Sequence, residues 1–202
     1  QTDVDRISEL YRRNGRFSVQ VEPKVIQLDQ NRVNLVFEIN EGPVSEIRGI
    51  KFVGNTKFSD DALRAEVSSR ESRWYRFLST SDRYDPDRLS YDQELLRRFY
   101  LKNGYVDFRV VSAVAELTQD KEAFFITVTV EEGERYKVGK VALDTSALKD
   151  ANPSALQKDV LLTEGDWYDA NLVDKTIDKM TDTLGDMQYA FMAVQPVPTL
   201  NN

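Results

Sequence analysis

Three short stretches hold the residues whose types could do chemistry. Asp82, Asp85 and Asp87 sit close enough together to suggest a calcium loop. The glycine and the distal glutamate of such a loop are absent, so a solvated loop with a helix cap accounts for them better. Asp60 and Asp61 are adjacent, a candidate catalytic carboxylate pair. Neighbours at a helix start point in different directions, and the positive end of the helix dipole keeps both ionised, which is the chemistry of a cap. Gly54-Asn55 has the composition of a phosphate-cradling turn, but a lone pair of this kind is ordinary turn chemistry.

The 202 residues include no histidine and no cysteine. The commonest zinc ligands, the thiol nucleophile and the near-neutral base are therefore missing. A hydrolase using paired carboxylates is left without an evident base, and every candidate acid sits at a cap. The expectation is a binding or scaffolding protein with no metal or cofactor. Lysine plus arginine number 27 against 34 aspartates and glutamates, a formal net charge of −7. That balance argues against nucleic acid, which calls for a basic surface, and against a polybasic lipid anchor. No 18-residue apolar run is present and no signal peptide is visible. Gln1 falls in mid-pattern, which suggests an excised fragment.

The elements that must position any site come in a repeat. Tyr100-Leu-Lys-Asn-Gly-Tyr-Val-Asp-Phe-Arg-Val110 matches Tyr11-Arg-Arg-Asn-Gly-Arg-Phe-Ser-Val-Gln-Val21, and Tyr189–Val194 aligns with Tyr105–Val110. Serial modules bind or scaffold more often than they catalyse. Residues 2–14 read as a helix with Val4, Ile7, Leu10 and Tyr11 on one face, ended by Asn14-Gly15. Phe17, Val19 and Val21, then Val33, Leu35, Phe37 and Ile39, predict a hairpin that stops at Glu41-Gly42-Pro43.

The middle unit is complete. Ile47, Ile50 and Phe52 predict a strand, and Ser59 a cap for a helix burying Ala62, Leu63 and Val67. Asp85-Pro86 opens a second helix with Leu89, Leu95, Leu96, Phe99 and Tyr100 inward. Val106, Phe108 and Val110 alternate with exposed Asp107 and Arg109. Phe124, Ile126, Val128 and Val130 form the last strand. The third unit repeats the order, with Val138, Val141 and Leu143 in the first strand, helices opening at Asn152-Pro153 and Tyr168-Asp169, and a strand at Tyr189–Val194. Gln188 stands where the helix-ending glycine is expected. The fold class is α+β, as strand-helix-helix-strand-strand modules, each a three-stranded sheet covered by two helices. The bounds are 1–43 for a C-terminal half-module, 44–134 for a whole one and 135–202 for one lacking its last strand.

This order, with Gly-Asn after the first strand, Leu96-Arg-Arg-Phe-Tyr-Leu-Lys-Asn-Gly-Tyr105 before the second and Glu-Gly at the exit, resembles the POTRA family. These are polypeptide-transport-associated repeats on the periplasmic side of outer-membrane barrel proteins. Trp74–Ser79 followed by Asp82–Leu89 is similar to the third module of the arrays that assemble outer-membrane proteins. The chain then corresponds to part of a second module, a third, and most of a fourth.

The resemblance implies a periplasmic scaffold that receives nascent outer-membrane proteins and docks accessory lipoproteins. Its membrane attachment would be a C-terminal barrel outside this sequence. Arrays of a two-partner secretion transporter or a cell-division protein are the alternatives. If the family's strand order holds, the strand before the hairpin turn is an exposed edge, here Val106, Asp107, Phe108, Arg109, Val110 and Val111, with Phe17–Glu22 as counterpart. An edge accepts an added strand through its backbone. Phe125 falls on the outer face, as does Val36. Trp74, Tyr75 and Phe77 either close the core or stand exposed for docking.

Overall fold

The computed structural model describes residues 2–30, 32–72, 82–146, 148, 153–189 and 192–200. Trp74, Tyr75 and Phe77 lie outside them. The chain divides into two compact units, Gln1–Leu96 with Arg109–Glu131, and Arg97–Phe108 with Glu132–Asn202.

In the first unit, α1 (Thr2–Arg13) leads into β1 (Gln20–Leu28) and β2 (Arg32–Asn40), an antiparallel hairpin. It starts three residues later than the alternation predicts. Phe17 instead leaves the helix through a turn and packs edge-on against Phe124, with ring centroids 4.8 Å apart. Leu10 is exposed rather than inward. β3 (Glu46–Val53) pairs parallel with β5 (Ala123–Glu131), and β4 (Arg109–Leu117) pairs antiparallel on its other side, so the order is β3-β5-β4. The register slips between Ile47 and Gly49, which is why the inward residues are Ile47, Ile50 and Phe52 rather than a strict alternation.

The helices meet their sequence signals. Ser59 caps α2 (Asp60–Glu66) by accepting from the Ala62 N–H. Asp85 Oδ1 accepts from the N–H groups of Asp87 and Arg88 at the start of α3 (Pro86–Lys102). The core of this unit is Ile47, Ile50, Phe52, Leu63, Val67, Leu89, Leu96, Phe124, Ile126, Val128 and Val130, all buried, with Ala62 and Leu95 partly covered; Phe99, in the second unit, is partly covered too. Asp92 is buried among them. Its carboxylate accepts from the Ser68 hydroxyl and from the N–H groups of Ser68 and Ser69, satisfying the chain as it leaves α2.

In the second unit α4 (Pro153–Gln157) and α5 (Ala170–Asp186) form, the latter capped by Asp169. Asn152 lies outside the described residues. Leu156, Met180 and Leu184 are its buried centre, flanked by Leu143, Leu148, Val160, Tyr189, Met192 and Val194. The strands expected at 138–143 and 189–194 do not form among the described residues; a single bridge joins Lys137 and Trp167. In the middle module both flanking strands pair with β5, and among the described residues 135–200 no segment is paired in the way β5 is. Extended segments without that shared partner have no ladder to enter.

Three helix ends share one device. The N–H groups of Arg16, Tyr105 and Tyr189 reach back to the carbonyls of Tyr11, Tyr100 and Leu184 at 2.9, 3.0 and 2.9 Å. The residue before each, Gly15, Gly104 and Gln188, has φ of 80°, 92° and 69°. At Gly104 a Cβ would meet Arg135 and the carbonyls of Tyr136 and Tyr168 within 3.2–3.3 Å, so a side chain there adds crowding to the strain of a positive φ. Gln188 has taken the left-handed conformation without glycine, and the turn persists.

Candidate functional site

The residues singled out for chemistry are absorbed by structure. Arg64 bonds both Asp60, at 3.3 Å, and Asp61, at 2.7 Å. Asn55 turns back onto the Phe58 carbonyl, and Gly54 lies against the Val130 carbonyl. Asp85 is the α3 cap. Among the described residues no cluster of acidic side chains is arranged to hold a metal ion, and no helix is long and apolar enough to cross a membrane.

The sheet of the middle module has two edges, and they differ. On β3 the Ile47 N–H donates to the Asp82 carbonyl at 2.6 Å, and the Ser72 N–H donates to the Ile47 carbonyl at 2.7 Å. Further along, the Ile50 N–H donates to Glu71 Oε1 at 3.0 Å and Arg64 Nε donates to the Ile50 carbonyl at 2.9 Å. That edge is closed by the chain itself at Ile47 and Ile50. On β4, no hydrogen bond outside the β4–β5 ladder reaches the main chain of residues 109–117 from any described residue. That edge is open.

Of the expected edge residues, Arg109, Val110 and Val111 lie on β4, whereas Val106, Asp107 and Phe108 lie before it. The helix-ending turn extends through Phe108, whose N–H bonds the Tyr105 carbonyl at 3.3 Å. The Phe108 ring stacks on Tyr100 at 3.9 Å, buried as expected, and Asp107 accepts from the Tyr136 hydroxyl at 2.6 Å. That bond to Asp107 raises the Tyr136 phenol above its ordinary range. The edge instead continues through Ser112, Ala113, Val114, Ala115, Glu116 and Leu117. Its register slips between Val110 and Ser112, leaving Val111 as the extra, exposed residue. The covered positions consequently change from even numbers (Phe108, Val110) to odd (Ala113, Ala115). That phase change was present in the sequence and marks the bulge.

The edge is fixed at both ends. Arg109 pairs with Glu131 across the ladder, Nε to Oε2 at 2.7 Å. At the hairpin tip the Thr118 hydroxyl donates to Asp120 and holds that carboxyl below its ordinary range, with backbone donation at Glu122 adding to it. The Ala123 N–H donates back to Thr118 Oγ1 at 3.0 Å. On the outer face Phe125 is 45% exposed, with Val53 and Val114 also exposed. Its ring lies over Gly49, where a Cβ would come within 3.1 Å. Val36 is exposed on β2 as expected.

The class of protein defined here is a serial array of mixed strand-and-helix modules, one of which presents an open strand edge. The family model described as "POTRA: Surface antigen variable number repeat" matches residues 1–42, 45–133 and 136–202. The chain belongs to the POTRA family. It is 32% identical over 199 residues to the outer membrane protein assembly factor BamA of Neisseria meningitidis serogroup B, covering 96% of this chain and 25% of that protein. It is 25% identical over 196 residues to BamA of Neorickettsia risticii, covering 97% of this chain and 26% of that one. The chain thus spans about a quarter of the length of these curated relatives. Among solved structures, Haemophilus influenzae BamA POTRA3-5 is similar in fold, with a TM-score of 0.56 and 20% identity, over 99% of this chain and 75% of that one.

Proposed function

We propose that this chain is a periplasmic, non-enzymatic part of an outer-membrane protein assembly factor. Its serial modules, bounded at 1–43, 44–134 and 135–202, receive unfolded outer-membrane proteins by strand addition and dock accessory lipoproteins. The observation that supports this most directly is the unequal pair of edges: β3 is closed by its own chain and β4 is open over nine residues. Main-chain pairing reads backbone, which suits a receiver of many different strands. The relatives named above carry the assembly role in their names, and the receiving edge is Arg109–Leu117 rather than 106–111.

The absence of cysteine makes a direct test available. Single cysteines at Ser112 or Val114 on β4, and at Lys51 on β3, are mixed with an outer-membrane-protein peptide carrying one cysteine, under mild oxidation. Disulfide trapping at positions 112 and 114 well above that at 51 is expected. Equal trapping at all three positions sinks the assignment of β4 as the receiving edge.

A further inference from the structure

The closure of β3 is of two kinds. Around Ile47 the blocking groups are main chain, the Asp82 carbonyl and the Ser72 N–H, and Glu46 bridges Arg83. At Ile50 they are side chains only. Glu71 takes the N–H and Arg64 takes the carbonyl, so both backbone groups of one residue are occupied by an ion pair whose Nε–Oε1 distance is 3.4 Å. Arg64 is in turn held by Asp60 and Asp61 in the first turn of its own helix. Both side chains are largely covered, at 32% and 25% exposure, so the pair has a fixed place rather than a solvated one.

We propose that Arg64 and Glu71 form a plug that makes strand addition one-sided. The proposal rests on the reading of β4 as the receiving edge and names the residues that decide which edge is available. A side-chain donor and acceptor on Ile50 mimic the bonds an added strand would make there, and with Ile47 already taken they leave β3 too short a free run to hold one. Extended clients then enter only beside β4. A sheet accepting strands on both edges would bridge two clients and template aggregation. The requirement is positional: Ile50 needs an acceptor at residue 71 and a donor at residue 64.

The test uses an extended peptide with the β2 sequence Arg32–Asn40, the repeat equivalent of β5, added to isotope-labelled protein while amide shifts are followed. Wild type and Glu71→Gln, which keeps an acceptor for Ile50, are expected to shift along Arg109–Leu117 only. Arg64→Met combined with Glu71→Ala, where methionine keeps the stem packing, is expected to show a second set of shifts over Ile50–Val53 and to double the peptide bound per chain. The double variant, folded by circular dichroism, binding at β4 alone overturns the plug, and so does wild type responding at β3. If wild type gives no response at β4, the receiving-edge reading fails. The plug is then judged separately by whether the double variant alone gains shifts at Ile50–Val53. Should the double variant unfold, Glu71→Ala alone is scored by hydrogen exchange at the Ile50 amide. Faster exchange there without peptide, and slower exchange with it, supports the plug; no change on adding peptide overturns it.

Discussion

β1–β2 and β4–β5 are hairpins of two nine-residue strands with the same alternation, yet they stand in opposite environments. On β5, Ile126 and Val128 are 2% and 3% exposed; on β2, Leu35 and Val33 are 57% and 63% exposed. β5 has a strand on each side and lies in a unit whose helices bury Leu63, Val67, Leu89 and Leu96. β2 has β1 on one side only, and no residue of α1 is fully buried. Alternation states which face of a strand is apolar. It takes a third strand and covering helices to turn that face into a core.

The sharpest way to break the comparison is truncation at matched positions. Ile126→Ala should lower the denaturant-derived stability of the first unit by about 2–5 kcal/mol. Leu35→Ala should change it by less than about 0.5 kcal/mol, since the removed methyl groups already meet water. Comparable losses at both sites would mean that the β1–β2 face is covered in solution.

The second contrast lies where each unit leaves its helix. Tyr100 donates to Glu132 at 2.8 Å with both residues buried, whereas the equivalent Tyr11–Glu41 bond, at 3.2 Å, is exposed. Tyr100→Phe should cost about 1–3 kcal/mol, the range for weakening the satisfaction of a buried polar group, and Tyr11→Phe a few tenths. Burial first, then the Glu132 bond, raises the Tyr100 phenol above its ordinary value. In the unfolded chain that phenol ionises near pH 10 while the folded one stays protonated, so its stability contribution is full below about pH 10 and falls as pH rises further. The alkaline decline should therefore be shallower in Tyr100→Phe than in wild type when melting is followed between pH 9 and 11.

The smallest expected effect is a gain. Gln188 holds φ of 69° where the two matching helix ends have glycine. Gln188→Gly should raise the second unit's stability by about 1 kcal/mol, read as a higher melting temperature. An unchanged or lower value would show that side-chain contacts of Gln188 offset its backbone strain.

Much of this protein is set by local signals. Ser59, Asp85-Pro86 and Asp169 place helix starts, and Asn14-Gly15 and Asn103-Gly104 place helix ends, because caps and left-handed turns depend on a few neighbouring residues. The inward rows Ile47, Ile50, Phe52 and Phe124, Ile126, Val128, Val130 were legible for the same reason. Strand extent was not. Phe17 and Phe108 continue an alternating pattern through a turn because they pack on Phe124 and on Tyr100, contacts between residues that local periodicity does not register. Nor did the third unit's alternation at 138–143 become strand, since a ladder depends on a partner elsewhere in the chain. The difference between the two sheet edges belongs to the tertiary structure alone. Only the fold brings Glu71 and Arg64 to the backbone of Ile50, from 21 and 14 residues away, while leaving β4 free.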